Sequence, residues 1–500
     1  MSDIRAVLRD LGSIFLVIGG VTLVALAVPL IFTEYSAFLP ILLTAVVYFL
    51  VGSPLYFSFK KADPANFKSA MVTAALGWLI IPLIGVIPFL LIPYNVDIGS
   101  HFSFLSAYFE SMSGWTGTGL TMVNNENLLP HTLQFWRTWI QWIGGVGVIV
   151  LTLSILARPG VGSYVLYRGE ARDQRTHPSI IATVRTIWRI YFLYTLIGII
   201  VVILFGWIFL HGMGPWEAVN HCMTAIATGG FSVTDDSLAG YGAITQLSII
   251  VLMIIGAIAF AAHYHLLRGR IRKFFSDAQL QAMLILIFFG VIILILINMN
   301  DYNLPYQNNF WLGLKDSGFQ FISALTCTGF QTTNVGAWSE SAKLILALAM
   351  IIGGAAGSTA GGIKLFRIIL LEKGVSWKIK RTISTPHRVF VNKLGGRSLS
   401  NVQAMDLINE AAIVSFMWII LLMFGIFVIG ALHQDQTLGN VIFEVCSAQG
   451  NVGLSIGITN ISMSIPGKLM LIFNMWIGRL EIIPVIVLIR SMLGIRRNII

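Results

Sequence analysis

The sequence predicts an all-α, polytopic membrane protein in which four similar units surround a central pore. Hydrophobic residues make up 56% of the 500 residues and charged residues only 11%, whereas soluble domains carry about 25% charged residues. Ten apolar runs are long enough to span a bilayer, which takes about 20 residues. Four short Gly/Thr/Ser-rich segments lie just outside such runs, and their repetition predicts a pseudo-fourfold array around one axis.

The ten predicted spans follow one another with little room for a soluble domain. They cover approximately residues 11–32, 37–58, 69–93, 136–157, 186–210, 243–267, 278–298, 342–371, 407–431 and 467–490. The first run resembles a signal peptide, but it is longer than the roughly 7–15 residues of a signal core, and we interpret it as a retained helix. The glycines of Gly353–Gly362 predict a break inside the eighth span.

The basic residues assign the loops to the two sides of the membrane. Most lysines and arginines precede span one or follow spans two, four, six, eight and ten, with Lys315 as the clear exception. They include Arg5, Arg9, Lys60, Lys61, Lys68, Arg158, Arg168, Arg172, Arg175, Arg185, Arg268, Arg270, Arg272, Lys273, Lys373, Lys378, Lys380, Arg381, Arg388, Lys393, Arg397, Arg496 and Arg497. The positive-inside rule then places these loops and both termini in the cytoplasm. Topology therefore explains the net charge of +10, and no nucleic-acid partner is predicted.

The four short segments align on their last glycine. They are Thr116–Leu120, Ala227–Phe231, Thr326–Phe330 and Gly450–Leu454, and their aligned glycines are separated by 111, 99 and 124 residues. The stretches before them, about 102–115, 216–227, 316–326 and 440–449, predict short half-helices on the outer side. We therefore expect an N-terminal helix pair at 1–67 and four pore units at 68–175, 176–275, 276–398 and 399–500.

This arrangement predicts an ion-conducting protein. A cation enters a dry constriction only if its lost hydration is replaced, and backbone carbonyls can replace it without adding full negative charge. Glycine permits the required backbone dihedrals and a close approach of the chains. Irregular backbone at membrane depth is tolerated only where it is buried in protein or lines water, and a re-entrant segment meets that condition.

Acidic and sulfur-containing side chains accompany the four segments. Four carboxylates lie in or beside the half-helices: Glu110, Glu217, Asp316 and Glu444. They either stabilise helix N-terminal turns and packing, which we favour, or attract cations to a vestibule. The cysteines Cys222, Cys327 and Cys446 lie 8, 2 and 7 residues from the aligned glycines. These unequal offsets indicate small buried thiols rather than a metal site.

Several motifs resemble those of the Trk/Ktr/HKT potassium transporters, and the match extends over the whole chain. The four segments resemble the selectivity-filter segments of that family. Further similar motifs are Trp142–Gly147, Gly361–Lys364 and Gly478–Glu481, and the extra N-terminal pair of spans is similar to the TrkH branch. Gly117 departs from the threonine expected there, and we expect it to loosen the first filter strand.

The resemblance implies a filter with glycine at all four aligned positions and hence potassium selectivity. In the family, a serine at the first of these positions accompanies a preference for sodium. The ion-binding residues implied in this way are Thr118, Gly119, Thr228, Gly229, Gly230, Thr328, Gly329, Val452 and Gly453. K⁺ is then the transported ion, and no cofactor is expected.

Arg479 lies inside the last predicted span, roughly 18 Å from its outer end. An arginine at that depth is costly and usually faces a cavity or a partner. It forms either a structural pair, with Glu481 or a neighbouring helix, or a cation below the filter that repels K⁺. The resemblance favours the second role.

The glycine-rich segment of the eighth span has two explanations. It lacks the GK[ST] ending of a phosphate loop. Small residues there could simply allow helices to pack closely, whereas the resemblance implies an intramembrane loop that obstructs the pore under the filter. The gate residues implied are Gly353, Gly354, Gly357, Gly361, Gly362, Lys364 and Arg479, with Arg367 helping to hold the closed form.

The sequence therefore predicts potassium uptake through a channel-like pore rather than an enzyme. A proton- or sodium-coupled symporter, with Glu481 as the coupling site, and a pore for sodium or ammonium are the alternatives. His263 and His265 are expected to be solvated rather than metal-bound. The basic loops are expected to contact anionic lipid. The resemblance further implies a prokaryotic cytoplasmic membrane, a homodimer and a cytosolic nucleotide-binding regulatory subunit of the TrkA type.

Overall fold

The protein is an assembly of α-helices, seen here in a computed structural model. The structure describes residues 2–93, 101–147, 180–209, 211–307, 309–384, 392–394 and 397–493. Among the predicted cytoplasmic basic residues, Arg158, Arg168, Arg172, Arg175, Arg388, Arg496 and Arg497 lie outside these ranges, as does the inner part of the predicted span 136–157.

The described residues form twenty α-helices, three short 3₁₀-helices (Leu23–Leu26, Glu126–Leu128 and Val335–Ala337) and one short hairpin. The helices are α1 (Ser2–Thr22), α2 (Ala27–Ile31), α3 (Tyr35–Ser58), α4 (Phe67–Ile84), α5 (Ile87–Leu91), α6 (Phe104–Thr116), α7 (His131–Val146), α8 (Ile180–Ile208), α9 (Pro215–Ile226), α10 (Ala243–Ala257), α11 (Phe260–Leu267), α12 (Ile271–Phe275), α13 (Ala278–Met299), α14 (Phe310–Leu325), α15 (Glu340–Ile352), α16 (Leu365–Ile383), α17 (Asn401–Leu432), α18 (Leu438–Gly450), α19 (Ile465–Arg479) and α20 (Ile483–Met492). Strands β1 (Asn392–Leu394) and β2 (Arg397–Leu399) pair antiparallel.

The predicted all-α membrane architecture is confirmed. Six described helices are long and apolar enough to span a membrane, and eight do so if each of two bent helix pairs counts as one span. The remaining two predicted spans correspond to α7, which covers the described part of the span 136–157, and to α15 and α16 with the glycine-rich break between them. The boundaries proposed for the helix pair and the four units stay predictions.

The N-terminal helices pack tightly because two glycines face each other. A methyl group on Gly12 would lie 2.8 Å from the carbonyl oxygen of Gly52, and one on Gly52 would lie 3.0 Å from the carbonyl oxygen of Gly12. Small residues of this kind let helix backbones approach closely in a membrane. The hydroxyl of Tyr48 in α3 donates to the carbonyl of Ile81 in α4 at 2.7 Å, which joins the pair to the first pore unit.

Each unit contains one short helix that ends at a Gly/Thr/Ser-rich segment, and we call α6, α9, α14 and α18 the pore helices. Three begin at a side-chain cap, from Ser103, Asn309 and Thr437, while α9 begins with Pro215 at its first position. Such caps satisfy N–H groups that have no partner inside the helix. The pore helix of the third unit starts at Phe310, six residues before its predicted start at 316, because Asn309 supplies the cap.

Two of the predicted spans, 243–267 and 467–490, consist of two helices joined at a sharp bend, which the sequence did not predict. Helices α10 and α11 are bent by 106°, and α19 and α20 by 113°. At the first break, the carbonyls of Gly256 and Ala257 accept hydrogen bonds from the backbone of Thr359 and Ala355, at 3.2 and 3.0 Å. The glycine-rich segment of the third unit therefore packs against the bend between α10 and α11 and bonds its free carbonyls. At the second, Glu481 and Ile482 adopt positive φ values, 55° and 76°, which cannot continue a helix.

Candidate ion pathway

The four aligned glycines all adopt a left-handed backbone. Their φ values are +90° for Gly119, +77° for Gly230, +88° for Gly329 and +95° for Gly453. Residues with a Cβ rarely adopt such values, whereas glycine does so readily. The similar geometry at four positions confirms that the sequence alignment identified structurally equivalent segments.

These glycines join the segments into a closed ring. A methyl group on Gly119 would overlap the carbonyl oxygen of Gly229 in the second unit. In the same way, a methyl on Gly230 would overlap the carbonyl oxygen of Thr328, and one on Gly329 that of Val452. A methyl on Gly453 would overlap the carbonyl oxygen of Thr118, which returns to the first unit. Each glycine thus packs against the carbonyl that precedes the next glycine, so the four segments enclose one axis.

Each segment is attached to its pore helix by the same hydrogen bond. The backbone N–H groups of Thr118, Gly229, Thr328 and Val452 each donate to the carbonyl five residues earlier, at 2.9 Å in all four units. This bond is the one that closes a helix through a left-handed residue. The left-handed residues are Gly117, Thr228, Cys327 and Asn451, with φ values of 71°, 50°, 54° and 53°.

Gly117 therefore does not have the effect that the sequence suggested. We expected it to loosen the first strand, but it occupies the left-handed position at which three units place a residue with a Cβ. Glycine adopts this conformation with less strain than threonine, cysteine or asparagine. The hydrogen bond from Thr118 N to Ser113 O is as short as its equivalents, so the first segment is held as closely as the others.

Bracing residues lie at equivalent positions of the four pore helices, and two of them, His221 and Gln320, were not predicted from the sequence. Nine residues before each aligned glycine lie Glu110, His221, Gln320 and Glu444, all buried. Each forms a hydrogen bond with a residue just after the Gly/Thr/Ser-rich segment of its own unit. The four pairs are Glu110 with Met122 N at 2.7 Å, His221 with Ser232 Oγ at 2.9 Å, Gln320 with Thr332 Oγ1 at 3.5 Å and Glu444 with Ile456 N at 3.1 Å. The constant offset of nine was present in the sequence, but the four residue types differ, which concealed it.

Two of the four carboxylates in the pore helices, Glu110 and Glu444, have structural partners. Glu110 and Glu444 lie in the middle of their helices rather than in the first turn, and both are fully buried. Glu110 accepts a hydrogen bond from Nε of Arg137 at 2.7 Å, while Glu444 accepts from Ser455 Oγ at 2.7 Å and Thr459 N at 3.0 Å. These contacts support the packing role that we favoured over a cation-attracting vestibule.

Arg137 also lies near a second carboxylate, in the loop outside the first segment. One Nη atom of Arg137 lies 3.7 Å from Glu126 Oε1, and the other donates to the carbonyl of Ser232 at 2.9 Å. Burial raises the pKa of Glu126 to about 7, and Arg137 only partly offsets this shift. Removal from water disfavours the charged form of a carboxyl group, so Glu126 changes charge near neutral pH.

The glycine-rich segment between α15 and α16 lies directly against the ends of the pore helices, and we call residues 353–364 the intramembrane loop. Gly362 N donates to the carbonyl of Gly450 at 3.1 Å. Thr359 Oγ1 donates to the carbonyl of Ile226 at 3.1 Å and lies 3.0 Å from Thr228 Oγ1, in the second segment. The loop therefore contacts the second and fourth units on the side of the ring where the pore helices end.

The glycines of this loop have two different structural roles. Gly353, Gly357 and Gly362 adopt positive φ values of 71°, 78° and 75°, which let the chain reverse direction. Gly354 and Gly361 instead allow close contacts. A methyl on Gly354 would lie 2.5 Å from Ala360 Cβ, and one on Gly361 would overlap the carbonyl oxygen of Gly450.

Arg479 lies between the loop and the first unit. Its Nη1 donates to the carbonyl of Thr359 at 3.2 Å, and its Nη2 donates to Gly145 O at 2.8 Å and also to Gly144 O. Nη1 lies 3.9 Å from the position of a methyl group on Gly117. The guanidinium is therefore next to the start of the first segment, and it joins the loop to α7; its role as a cation below the filter stays a prediction.

The predicted alternative partner of Arg479 is engaged elsewhere. Glu481 forms ion pairs with Arg367 and with Lys364, whose Nζ lies 3.7 Å from Glu481 Oε1. Lys364 Nζ also donates to Ala360 O at 2.9 Å, and Arg367 Nη1 donates to Ile363 O at 2.9 Å. These contacts connect the end of the loop to the break between α19 and α20.

The remaining candidate residues are structural. Cys222, Cys327 and Cys446 are buried free thiols, and no group of three or more potential metal ligands occurs within the described ranges. His263 is buried and bonds the carbonyl of Ile255 at 2.9 Å. The expectation that it would be solvated is wrong, because the sharp bend between α10 and α11 turns it into the protein.

Comparison with known proteins gives matches over nearly the whole chain. Residues 40–495 match the family described as TrkH, cation transport protein. An uncharacterized cation transporter of Methanocaldococcus jannaschii is 37% identical over 494 residues, covering 98% of this chain and 96% of the relative. The Trk system potassium uptake protein TrkH of Escherichia coli is 30% identical over 495 residues, covering 97% and 98%. The crystal structure of the potassium transporter TrkH from Vibrio parahaemolyticus matches with a TM-score of 0.78 and 25% identity, covering 97% and 98%.

Proposed function

Because the chain belongs to the TrkH family of cation transport proteins, we propose that it carries potassium ions into the cell through a channel-like pore. The family membership confirms a multi-pass transporter rather than an enzyme. Relatives of this chain are named potassium uptake proteins, which supports K⁺ as the transported ion.

The observation that carries this proposal is the closed ring of four segments. The carbonyls of Thr118, Gly229, Thr328 and Val452 each lie against the glycine of the preceding unit. Carbonyl oxygens arranged around one axis can replace the hydration shell of K⁺. The segments are buried and anchored by identical hydrogen bonds, so the ring is organised before the ion arrives. Glycine at all four aligned positions keeps the axis free of side chains.

We assign the gate to the intramembrane loop and Arg479. The loop contacts the inner ends of two pore helices, where it obstructs an ion that leaves the ring. Arg479 adds a positive charge beside the first segment. A fixed cation at membrane depth repels a passing cation strongly because little water screens it. Opening then requires the loop to leave its hydrogen bonds with Gly450 and Ile226.

The drive for uptake is the membrane potential, which supplies about 2.3 kcal/mol per charge for each 100 mV. Glu481 is a poor proton-coupling site, because Lys364 and Arg367 hold it as an ion pair and breaking a buried pair is costly. We place both termini and the basic loops in the cytoplasm of a prokaryote. There they would meet anionic lipid, a second copy of the chain and a nucleotide-binding regulatory subunit of the TrkA type.

Rubidium uptake into proteoliposomes loaded with K⁺ tests this function. Uptake should persist when ionophores collapse the proton and sodium gradients, and external K⁺ should compete better than Na⁺ or ammonium. If uptake stops once either gradient is removed, the protein is a coupled symporter. If Na⁺ or ammonium competes best, the pore serves a different cation.

A further inference from the structure

Among the four carbonyls of the ring, the one at Gly229 is contacted differently. The side-chain amide of Gln141 donates from Nε2 to Gly229 O at 2.7 Å, and its Oε1 accepts from Phe231 N at 2.9 Å. Within the described ranges, no side chain donates to the carbonyl oxygens of Thr118, Thr328 or Val452. Among the described residues, only the second segment is therefore held at its ring carbonyl by a side chain from another unit.

The two hydrogen bonds of Gln141 enclose the filter glycine of the second segment. Gly229 and Phe231 flank Gly230, whose φ value is +77°. The amide thus fixes the peptide groups on both sides of the left-handed residue, as a neighbouring β-strand would. A carbonyl oxygen has two lone pairs, so Gly229 O can accept from Gln141 and still face the axis of the ring.

Helix α7 holds Gln141 in this position. Gly145 lies one turn after Gln141 on the same face, and a methyl on Gly145 would lie 2.9 Å from Ala227 Cβ. The helix therefore packs closely along the second segment. Gln141 is fully buried, and a buried amide without its partners would be destabilising, so the paired arrangement is strongly favoured.

The contact also explains why residue 229 differs from its equivalents. The other three units place Thr118, Thr328 and Val452 at this position, all with side chains. A methyl on Gly229 would overlap the side-chain carbons of Gln141. The glutamine occupies the space that a residue 229 side chain would need, so the two positions form a complementary pair.

We propose that Gln141 is a positioning residue that sets ion selectivity by fixing the carbonyl of Gly229. This inference rests on the proposed filter. A carbonyl that is held in place cannot move inward to surround the smaller Na⁺, whereas a released carbonyl can. The chemistry of the amide is what matters, since it must donate to one backbone atom and accept from another.

The test compares uptake of rubidium with K⁺ or Na⁺ as competitor, in proteoliposomes with Gln141→Met or Gln141→Glu. Gln141→Met keeps the volume but loses both hydrogen bonds, and we expect the preference for K⁺ over Na⁺ to fall roughly five- to tenfold, as for loss of about one kcal/mol of hydrogen bonding. Gln141→Glu should lose selectivity at pH 8 and regain it at pH 5.5, because a protonated carboxyl group can again donate to Gly229 O.

A matched control is Gln246→Glu. Gln246 is also buried, and its Nε2 donates to two backbone carbonyls, of Leu238 at 2.8 Å and Tyr241 at 3.0 Å, in an outer loop. This variant should keep the wild-type ion preference at both pH values. An unchanged preference in both Gln141 variants, or the same pH response in Gln246→Glu, would overturn the proposal.

A paired substitution tests the complementarity independently. Gly229→Thr alone should abolish uptake, because its side chain overlaps Gln141. Gly229→Thr combined with Gln141→Ala should recover folding and uptake, with the weaker selectivity of Gln141→Met. If the double variant is no better than the single one, the pairing is refuted. If the wild-type protein shows no rubidium uptake that external K⁺ blocks, the proposed function itself is contradicted. Failure of the Gln141 proposal and failure of the proposed function therefore give different results.

Discussion

The four units are alike in the half that forms the ring and differ from one another in the half that follows it. At the ring, all four units have the same left-handed glycine and the same 2.9 Å hydrogen bond to the pore helix. Below it, the helices that follow the ring diverge. Helix pair α10–α11 bends by 106°, pair α19–α20 bends by 113°, and a 12-residue loop separates α15 from α16. Ion coordination requires near symmetry, whereas a gate needs one unit that can move by itself.

The largest effect is expected from a substitution in the ring, where the four units are alike. Gly230→Ala forces a residue with a Cβ to φ +77° and drives it into the carbonyl oxygen of Thr328. Backbone strain alone costs about 1–3 kcal/mol, and the overlap adds to it. Rubidium uptake should be lost and thermal stability should fall.

Gly457→Ala is the matched control for this change. Gly457 also has a positive φ, +99°, but no atom lies within 4 Å of the added methyl group. It should retain uptake. Equal losses in the two variants would show that strain, not the closed ring, explains the result.

The second-largest effect is expected from a change to the intramembrane loop, which lies in the half where the units differ. Deletion of Ala355 and Ala356 shortens the intramembrane loop and removes the hydrogen bond from Ala355 N to Ala257 O. If the loop contributes a barrier of about 1.4 kcal/mol or more, flux rises about tenfold or more. Uptake should be measured per folded protein in proteoliposomes. Unchanged flux would mean that the loop only packs the helices.

A smaller increase is expected from Arg479→Ala. The change removes the cation beside the first segment, and we expect flux to rise about three- to tenfold, equivalent to a barrier lower by roughly one kcal/mol. Arg479→Lys keeps the positive charge and should stay close to the wild type in the same uptake assay. Lower flux in a well-folded Arg479→Ala protein would assign Arg479 to structure alone.

The smallest effect concerns the outer loop of the first unit. Burial raises the pKa of Glu126 to about 7 from its ordinary value of 4.5. A raised carboxyl pKa means that ionisation opposes folding, so stability falls as pH rises from about 4.5 to about 7 and is constant above. Glu126→Gln should remove this decline, stabilising the protein at pH 8 by up to about 3 kcal/mol.

Thermal unfolding at pH 5.5 and pH 8 measures this difference. Glu372→Gln is the control, because the side chain of Glu372 is 62% exposed. It should leave the pH dependence as it is. A Glu126→Gln protein that still loses stability with rising pH would show that another group is responsible.

The sequence predicted the ring, where the four units are alike, better than the helices that follow it, where they differ. Composition and basic loops predicted the membrane architecture, and the aligned glycines were identified because the ring demands the same residue four times. The bend at Ile258 was not predictable from periodicity, since apolar residues continue through it. The bend at Glu481 was not predictable either, since the apolar run resumes at Ile482. They depend on tertiary partners: loop amides that bond the freed carbonyls of α10, and the ion pairs of Glu481.

Two bracing residues, His221 and Gln320, and also Gln141 were missed for a related reason. Their function is defined by what they contact, and the residue types differ from unit to unit. Glu110 and His221 are equivalent in position although one is an acid and the other an imidazole. Gln141 has its partners about 90 residues away, at Gly229 and Phe231, which no local pattern reveals.

The most direct test of the central claim is anomalous diffraction from crystals grown with rubidium. A rubidium peak should lie on the axis of the ring, close to the carbonyl oxygens of Thr118, Gly229, Thr328 and Val452. The peak should weaken when K⁺ is added and persist when Na⁺ is added. Absence of a peak at the ring, or a rubidium site at Glu481 instead, would contradict the account.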